Sequence, residues 1–194
     1  MTNGLATRDL ASLAARLRPL IDRTVVLVGL MGAGKSCVGR RLAARLEIPF
    51  IDADVEFEAA AGCTVSDYFA RYGEPAFREG ERKVVARLLA GPPVILATGG
   101  GAFCDPETRA RIKQGGLSVW ISAELDLLVK RTAGRDHRPL LRQGDPRQIL
   151  AGLMEKRYPL YAEADLTVQS TDDVPEVTVA AVMESLIAHL EPRA

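Results

Sequence analysis

The sequence predicts an α/β fold in which helices cover both faces of a parallel β-sheet, and three observations predict it. Short β-branched and aliphatic runs alternate with segments of helical periodicity along the chain. The first run, Thr24-Val-Val-Leu-Val28, leads directly into Gly29-Leu-Met-Gly-Ala-Gly34-Lys35-Ser36, the Gly-x-x-x-x-Gly-Lys-Ser/Thr pattern of a phosphate-binding loop between strand and helix. No linker divides the 194 residues, a length suited to one domain with a substantial core.

Residues 1–22 precede the first strand. Leu10, Leu13, Ala14, Leu17 and Ile21 recur at helical spacing, and Arg8, Arg16 and Arg18 add a basic bias. Without an uninterrupted apolar core the segment is not expected to be a secretory signal. A short extra helix packed on the domain, or a frayed tail, is expected in preference to an organellar transit peptide. The domain proper then runs over 23–194. Strands are expected at 24–29, 49–52, 94–98, 117–121 and 166–168. Helical patterns lie near 35–46, where Val38, Leu42 and Leu46 recur, and near 78–90, 106–114, 124–133 and 147–158. A last helix runs from 175 to 190, with Pro175 suited to a first turn and Val179, Val182, Met183, Leu186 and Leu190 on one side. Strands that alternate with helices pair in parallel, because the crossover returns each strand in the same direction. The stretch 134–146 is polar, basic and rich in Gly and Pro, the composition of a mobile loop.

Composition excludes several classes. Lys and Arg number 25, as do Asp and Glu, so no global field favours nucleic acid or a membrane surface. No apolar run approaches the roughly 18 residues of a membrane span. Cys37, Cys63 and Cys104 lie far apart, without zinc-ligand spacing, as reduced thiols of a cytoplasmic protein do. A cytoplasmic monomer with a small-molecule substrate, and with no nucleic-acid or membrane partner, is the expectation.

The residues that carry chemistry cluster where strands end, the edge at which such sheets bind ligands. The glycines of the phosphate loop let backbone N–H groups approach an anion, and the following helix adds its positive end. Lys35 reaches β- and γ-phosphates, and Ser36 supplies a hydroxyl for Mg2+. Asp52 and Asp54 follow the second strand; in extended chain, residues i and i+2 face the same way. Beside a phosphate loop such a pair reads as one carboxylate for a cation and one for a substrate hydroxyl, and otherwise as a helix cap plus a surface acid. Thr98-Gly99-Gly100-Gly101 closes the third strand and exposes backbone to a ligand, or forms a tight turn. Arg78 and Arg157 each lie on or beside an apolar helical stripe, where a planar fork either grips a carboxylate or forms an internal ion pair. Glu81, one turn from Arg78, is the candidate partner. Arg131, Arg135, His137, Arg138 and Arg142 make the 131–142 segment basic without aromatic residues, which reads as a lid over phosphates rather than a nucleic-acid patch.

The set resembles the shikimate kinases. The matching residues are Gly29 to Ser36, Asp52-x-Asp54, Phe77-Arg78, Gly99-Gly-Gly101, Arg138-Pro-Leu-Leu141 and Lys156-Arg157, in order from about residue 24 onward. The resemblance implies a five-stranded parallel sheet of nucleoside-monophosphate-kinase-like topology, Mg-ATP as donor, and phosphorylation of the 3-hydroxyl of shikimate. By motif, Asp54, Arg78, Gly100 and Arg157 would contact shikimate, and Ser36 and Asp52 would hold Mg2+. Gly32, Ala33, Gly34, Lys35, Ser36 and Cys37 would bind the nucleotide, with Arg131 near adenine and Arg138 on the phosphates. Lys35, Asp54 and Arg138 would be the catalytic residues. The chain departs from the family pattern at Cys37, where Thr is usual, and in its first 22 residues. A gluconate or nucleoside-monophosphate kinase is the nearest rival. A GTPase-type switch or regulatory module is the more distant one, since no Asn-Lys-x-Asp guanine motif occurs.

Overall fold

The structure, a computed structural model, describes residues 3–133 and 144–192, with side chains from residue 10. The expected lid at 134–146 lies mostly outside the described residues, and Arg135, His137, Arg138 and Arg142 lie outside them entirely.

Strand β1 (Thr24–Val28) is buried at every position. It is the centre of a five-stranded sheet of order β2-β3-β1-β4-β5, parallel throughout. The others are β2 (Phe50–Asp52), β3 (Ile95–Ala97), β4 (Gly116–Ser122) and β5 (Leu166–Gln169). Val25 lies opposite Ile95 on one side and Leu117 on the other, so apolar rows cross the sheet on both faces.

Helices α2 (Lys35–Leu46), α5 (Pro106–Gly115), α6 (Leu125–Thr132), α7 (Pro146–Tyr161) and α8 (Pro175–Leu190) fall within a few residues of the periodic segments. Val38, Leu42 and Leu46 are all buried, as their spacing requires. Residues Asn3–Leu17 form α1, which packs on α8 and α2 and buries Leu10, Leu13, Ala14 and Leu17. No helix among the described residues is long and apolar enough to cross a membrane.

Two elements differ from the sequence reading. The helix expected at 78–90 is the second half of α4 (Val65–Leu89), and α3 (Ala53–Ala61) precedes it. Gly73, with φ 77° and ψ 175°, kinks α4, and Pro75 follows two residues later. Both residues read as helix breakers, which conceals the first half. These helices close over a small separate core of Phe57, Phe77 and Val84, with Phe57 at 4.9 Å from both Tyr68 and Phe77, edge to face. The chain after β2 is also not extended. It turns into α3 at Ala53, so Asp52 and Asp54 do not share one strand face.

Candidate active site

The phosphate loop is built on positive φ angles at Gly29 (135°), Gly32 (85°) and Gly34 (104°), a region that L side chains rarely adopt. Gly34 opens α2 without a side-chain cap, which leaves the first-turn N–H groups and the helix dipole to an anion. Lys35 Nζ donates to the carbonyls of Gly29 (2.7 Å) and Leu30 (3.0 Å), so the ammonium arches back over the loop. Gly32, Gly34, Lys35, Ser36, Cys37 and Arg131 line one pocket of about 260 Å³. Ala33 instead turns its methyl into the core, while its carbonyl faces Arg131 Nη1 at 3.5 Å. Arg131 is pinned by Ser170 Oγ (2.8 Å) and the Thr171 carbonyl (2.6 Å), which ties the end of α6 to the loop after β5. Cys37 is exposed, and its Sγ accepts from Arg41 Nη1 at 3.0 Å.

The acidic pair sits beside this pocket in a geometry set by a helix start. Asp52 is the N-cap of α3 and accepts from the backbone N–H of Asp54 at 3.2 Å. Its other oxygen accepts from Ser36 Oγ at 2.9 Å. Asp52 is therefore both the cap and the link to the phosphate loop. Asp54 is half-buried rather than a surface acid. Burial pushes its carboxyl above the usual range and the Asp52 charge adds to this, while Lys35 and Arg78 oppose both.

Arg78 and Arg157 approach from different elements, α4 and α7, and line the same cleft with Gly101 and Cys104. The internal ion pair forms as well. Arg78 Nη1 donates to Glu81 at 2.6 Å, and its Nη2 donates to Glu74 at 3.2 Å. Glu81 is only 3 % exposed, and its second oxygen has no partner among the described residues. Burial raises its carboxyl, and the Arg78 charge works against that. Glu81 is thus a site residue that sequence reasoning treated only as a neutralising neighbour. Arg157 differs from Arg78. Its Nη1 donates to the Gly100 carbonyl at 3.0 Å, and no carboxylate pairs with it among the described residues.

The three glycines make close approach possible. A Cβ on Gly99 would lie 2.8 Å from Asp54 Oδ1, and one on Gly101 would lie 2.6 Å from Arg78 Nη1. Gly101→Ala should therefore push the Arg78 fork aside without reaching the core. The expected result is a lowered melting temperature, because Nη1 also pairs with the buried Glu81, together with substrate KM raised about tenfold, one displaced charge-assisted hydrogen bond, checked by calorimetry and steady-state kinetics.

The shikimate kinase family model matches residues 31–191. A shikimate kinase of Paramagnetospirillum magneticum is 70% identical over 191 residues, covering 98% of this chain and 97% of its own. One from Caulobacter vibrioides is 55% identical over 170 residues, covering 88% and 85%. Among solved structures, a shikimate kinase from Acinetobacter baumannii in complex with shikimate superposes with a TM-score of 0.83 at 35% identity, covering 87% of this chain and 94% of that one.

Proposed function

The chain belongs to the shikimate kinase family, and we propose that its cleft moves the γ-phosphoryl group of ATP onto the 3-hydroxyl of shikimate, releasing ADP and shikimate 3-phosphate. The observation that carries this reading is Arg157, a guanidinium without a carboxylate partner among the described residues, set opposite Arg78 in a cleft beside a phosphate loop. Such a site calls for an anionic substrate whose nucleophile lies within reach of ATP.

The roles follow from the contacts. Arg157 and Arg78 grip the substrate carboxylate. The Arg78–Glu74 pair yields to it at little cost, because Glu74 is exposed and such pairs contribute about 0–1 kcal/mol. Glu81 keeps hold of Nη1 and so aims the rest of the fork. Gly100 supplies backbone at the floor of the substrate site. Asp54 orients the reacting hydroxyl and takes its proton, a light task in a loose phosphoryl-transfer transition state. Lys35 neutralises charge that develops on the transferring group. Arg138, outside the described residues, is assigned the same task from the loop, and Arg131 the adenine side of the nucleotide. Ser36 Oγ and Asp52 form a hard-oxygen pair that fits Mg2+, and the ion, when bound, neutralises phosphate charge. A cytoplasmic monomer without nucleic-acid or membrane partners completes the reading, in keeping with zero net charge.

The test is ADP release from Mg-ATP with shikimate, gluconate and nucleoside monophosphates offered in turn. Turnover with shikimate and little with the others is expected; folded protein inert to shikimate would overturn the assignment. Arg157→Lys keeps the charge but loses the fork. It should raise KM for shikimate about tenfold to a hundredfold, the worth of one charge-assisted hydrogen bond, with KM for ATP unchanged. Equal loss for both ligands would mark Arg157 as structural.

A further inference from the structure

We propose that Tyr161 is a positioning residue of the substrate clamp: by donating its hydroxyl to the Gly100 carbonyl, it holds the Arg157 guanidinium in the pose that receives the substrate carboxylate. The proposal rests on the function inferred above. Tyr161 lies at the end of α7, four residues after Arg157, so both side chains leave one helix face. Both donate to the same oxygen, that of Gly100. A carbonyl oxygen has two lone pairs, and these two donors occupy them; the Cys104 thiol, a weak donor, approaches the same oxygen only at 4.0 Å.

Tyr161 is 0 % exposed, and its hydroxyl position is set from behind. Its ring packs on Trp120 of β4 at 6.0 Å and on Tyr158 at 6.2 Å. Tyr158 is itself tied to the Ala123 carbonyl at the end of β4. Burial raises the Tyr161 hydroxyl, which keeps it a donor throughout the working range. With one lone pair occupied by Tyr161, Gly100 can engage only one N–H of Arg157, and the remaining donors of the fork are left for substrate. Without the hydroxyl the second lone pair opens, and a guanidinium presents a second N–H that can rotate into it and away from the cleft. Gly100 also borders the phosphate loop, since a Cβ there would lie 3.7 Å from the Gly29 carbonyl. The same hydrogen bonds therefore set the distance between clamp and phosphates.

Tyr161→Phe keeps the ring and its packing and removes only the hydroxyl. Its KM for shikimate should rise about tenfold, one hydrogen bond's worth, while kcat and KM for ATP stay within about twofold. Combined with Arg157→Lys, its effect should largely vanish, because a residue that acts through another is non-additive with it. With the carboxamide analogue of shikimate, variant and wild type should perform alike. A KM for shikimate within about twofold of wild type, full additivity, or a fall confined to kcat or to ATP would each overturn the proposal. These outcomes leave the function standing as long as the wild type phosphorylates shikimate; wild type inert to shikimate removes both. A second measurement needs no variant. Trp120 is the one tryptophan in the chain and packs on Tyr161, so shikimate should shift its emission and the carboxamide should not. Unchanged emission at saturating shikimate counts against the clamp as described.

Discussion

Replacing Lys35 with methionine should lower turnover about 10³-fold, the upper range for removing one preorganised donor at a developing charge, while leaving the fold and shikimate affinity intact. The reason lies in how the ammonium is held. Two loop carbonyls, at 2.7 and 3.0 Å, fix Nζ across the phosphate site before any ligand arrives, so no reorganisation is required during reaction. Methionine has a similar length and no charge. The two carbonyls belong to the loop backbone, and losing their donor should cost about 1–3 kcal/mol of stability, which a domain of this size tolerates. Shikimate titration through Trp120 emission checks binding, and single-turnover kinetics checks chemistry. Turnover within tenfold of wild type would remove Lys35 from the mechanism.

Asp54→Asn is the second large effect, with kcat expected to fall about 10²- to 10³-fold, as for loss of a positioned general base. Its pH signature has a definite sign. Burial first, and Asp52 second, raise the Asp54 carboxyl above its ordinary value of 3.8. The acid limb of kcat/KM in wild type should accordingly lie above that value, with activity lost as pH falls through the raised pKa, and the variant should lack this limb. Stability should run the other way. A carboxyl with a raised folded pKa favours the fold while protonated, below the unfolded pKa, and that advantage is lost as pH rises through the folded one. The substituted amide carries no charge, so the variant should be the more stable protein at neutral pH, and the gain should disappear in acid. Thermal unfolding at both ends of this window measures it. A variant less stable than wild type at neutral pH would mean that the buried charge is better compensated than its surroundings indicate.

Much of this architecture is legible along the chain, and each departure from it has its own physical reason. Thr24–Val28, the glycine loop and α2 are local patterns of residue type and spacing, and each stands in the structure nearly as read. The same holds for α8, which Pro175 opens. The helix pair α3 and α4 escaped because Gly73 and Pro75 read as breakers, and because the small aromatic core that holds it joins Phe57 to Phe77, distant in sequence. Periodicity puts the acidic pair on a strand face, because the turn into α3 depends on Asp52 capping it, a bond that periodicity does not display.

The site divides along the same line. Residue order alone establishes which chemical groups are present: a phosphate-loop motif with its lysine and serine, two carboxylates, three glycines and two arginines. These are properties of residue type and short spacing, which local sterics and hydrogen-bonding capacity dictate. How the arginines differ emerges only from long-range packing. Arg78 is neutralised by Glu81 and Glu74 from its own helix, whereas Arg157 meets a backbone carbonyl from a loop 57 positions away. That packing also decides that Tyr161 joins Arg157 on that carbonyl and that Asp54 is desolvated between Asp52, Lys35 and Arg78. Charge partners, burial and pKa depend on distances across the fold, and those arise only when the sheet brings the ends of β1, β2 and β3 to one edge and α7 packs against α6 and the turn at Ala102–Cys104.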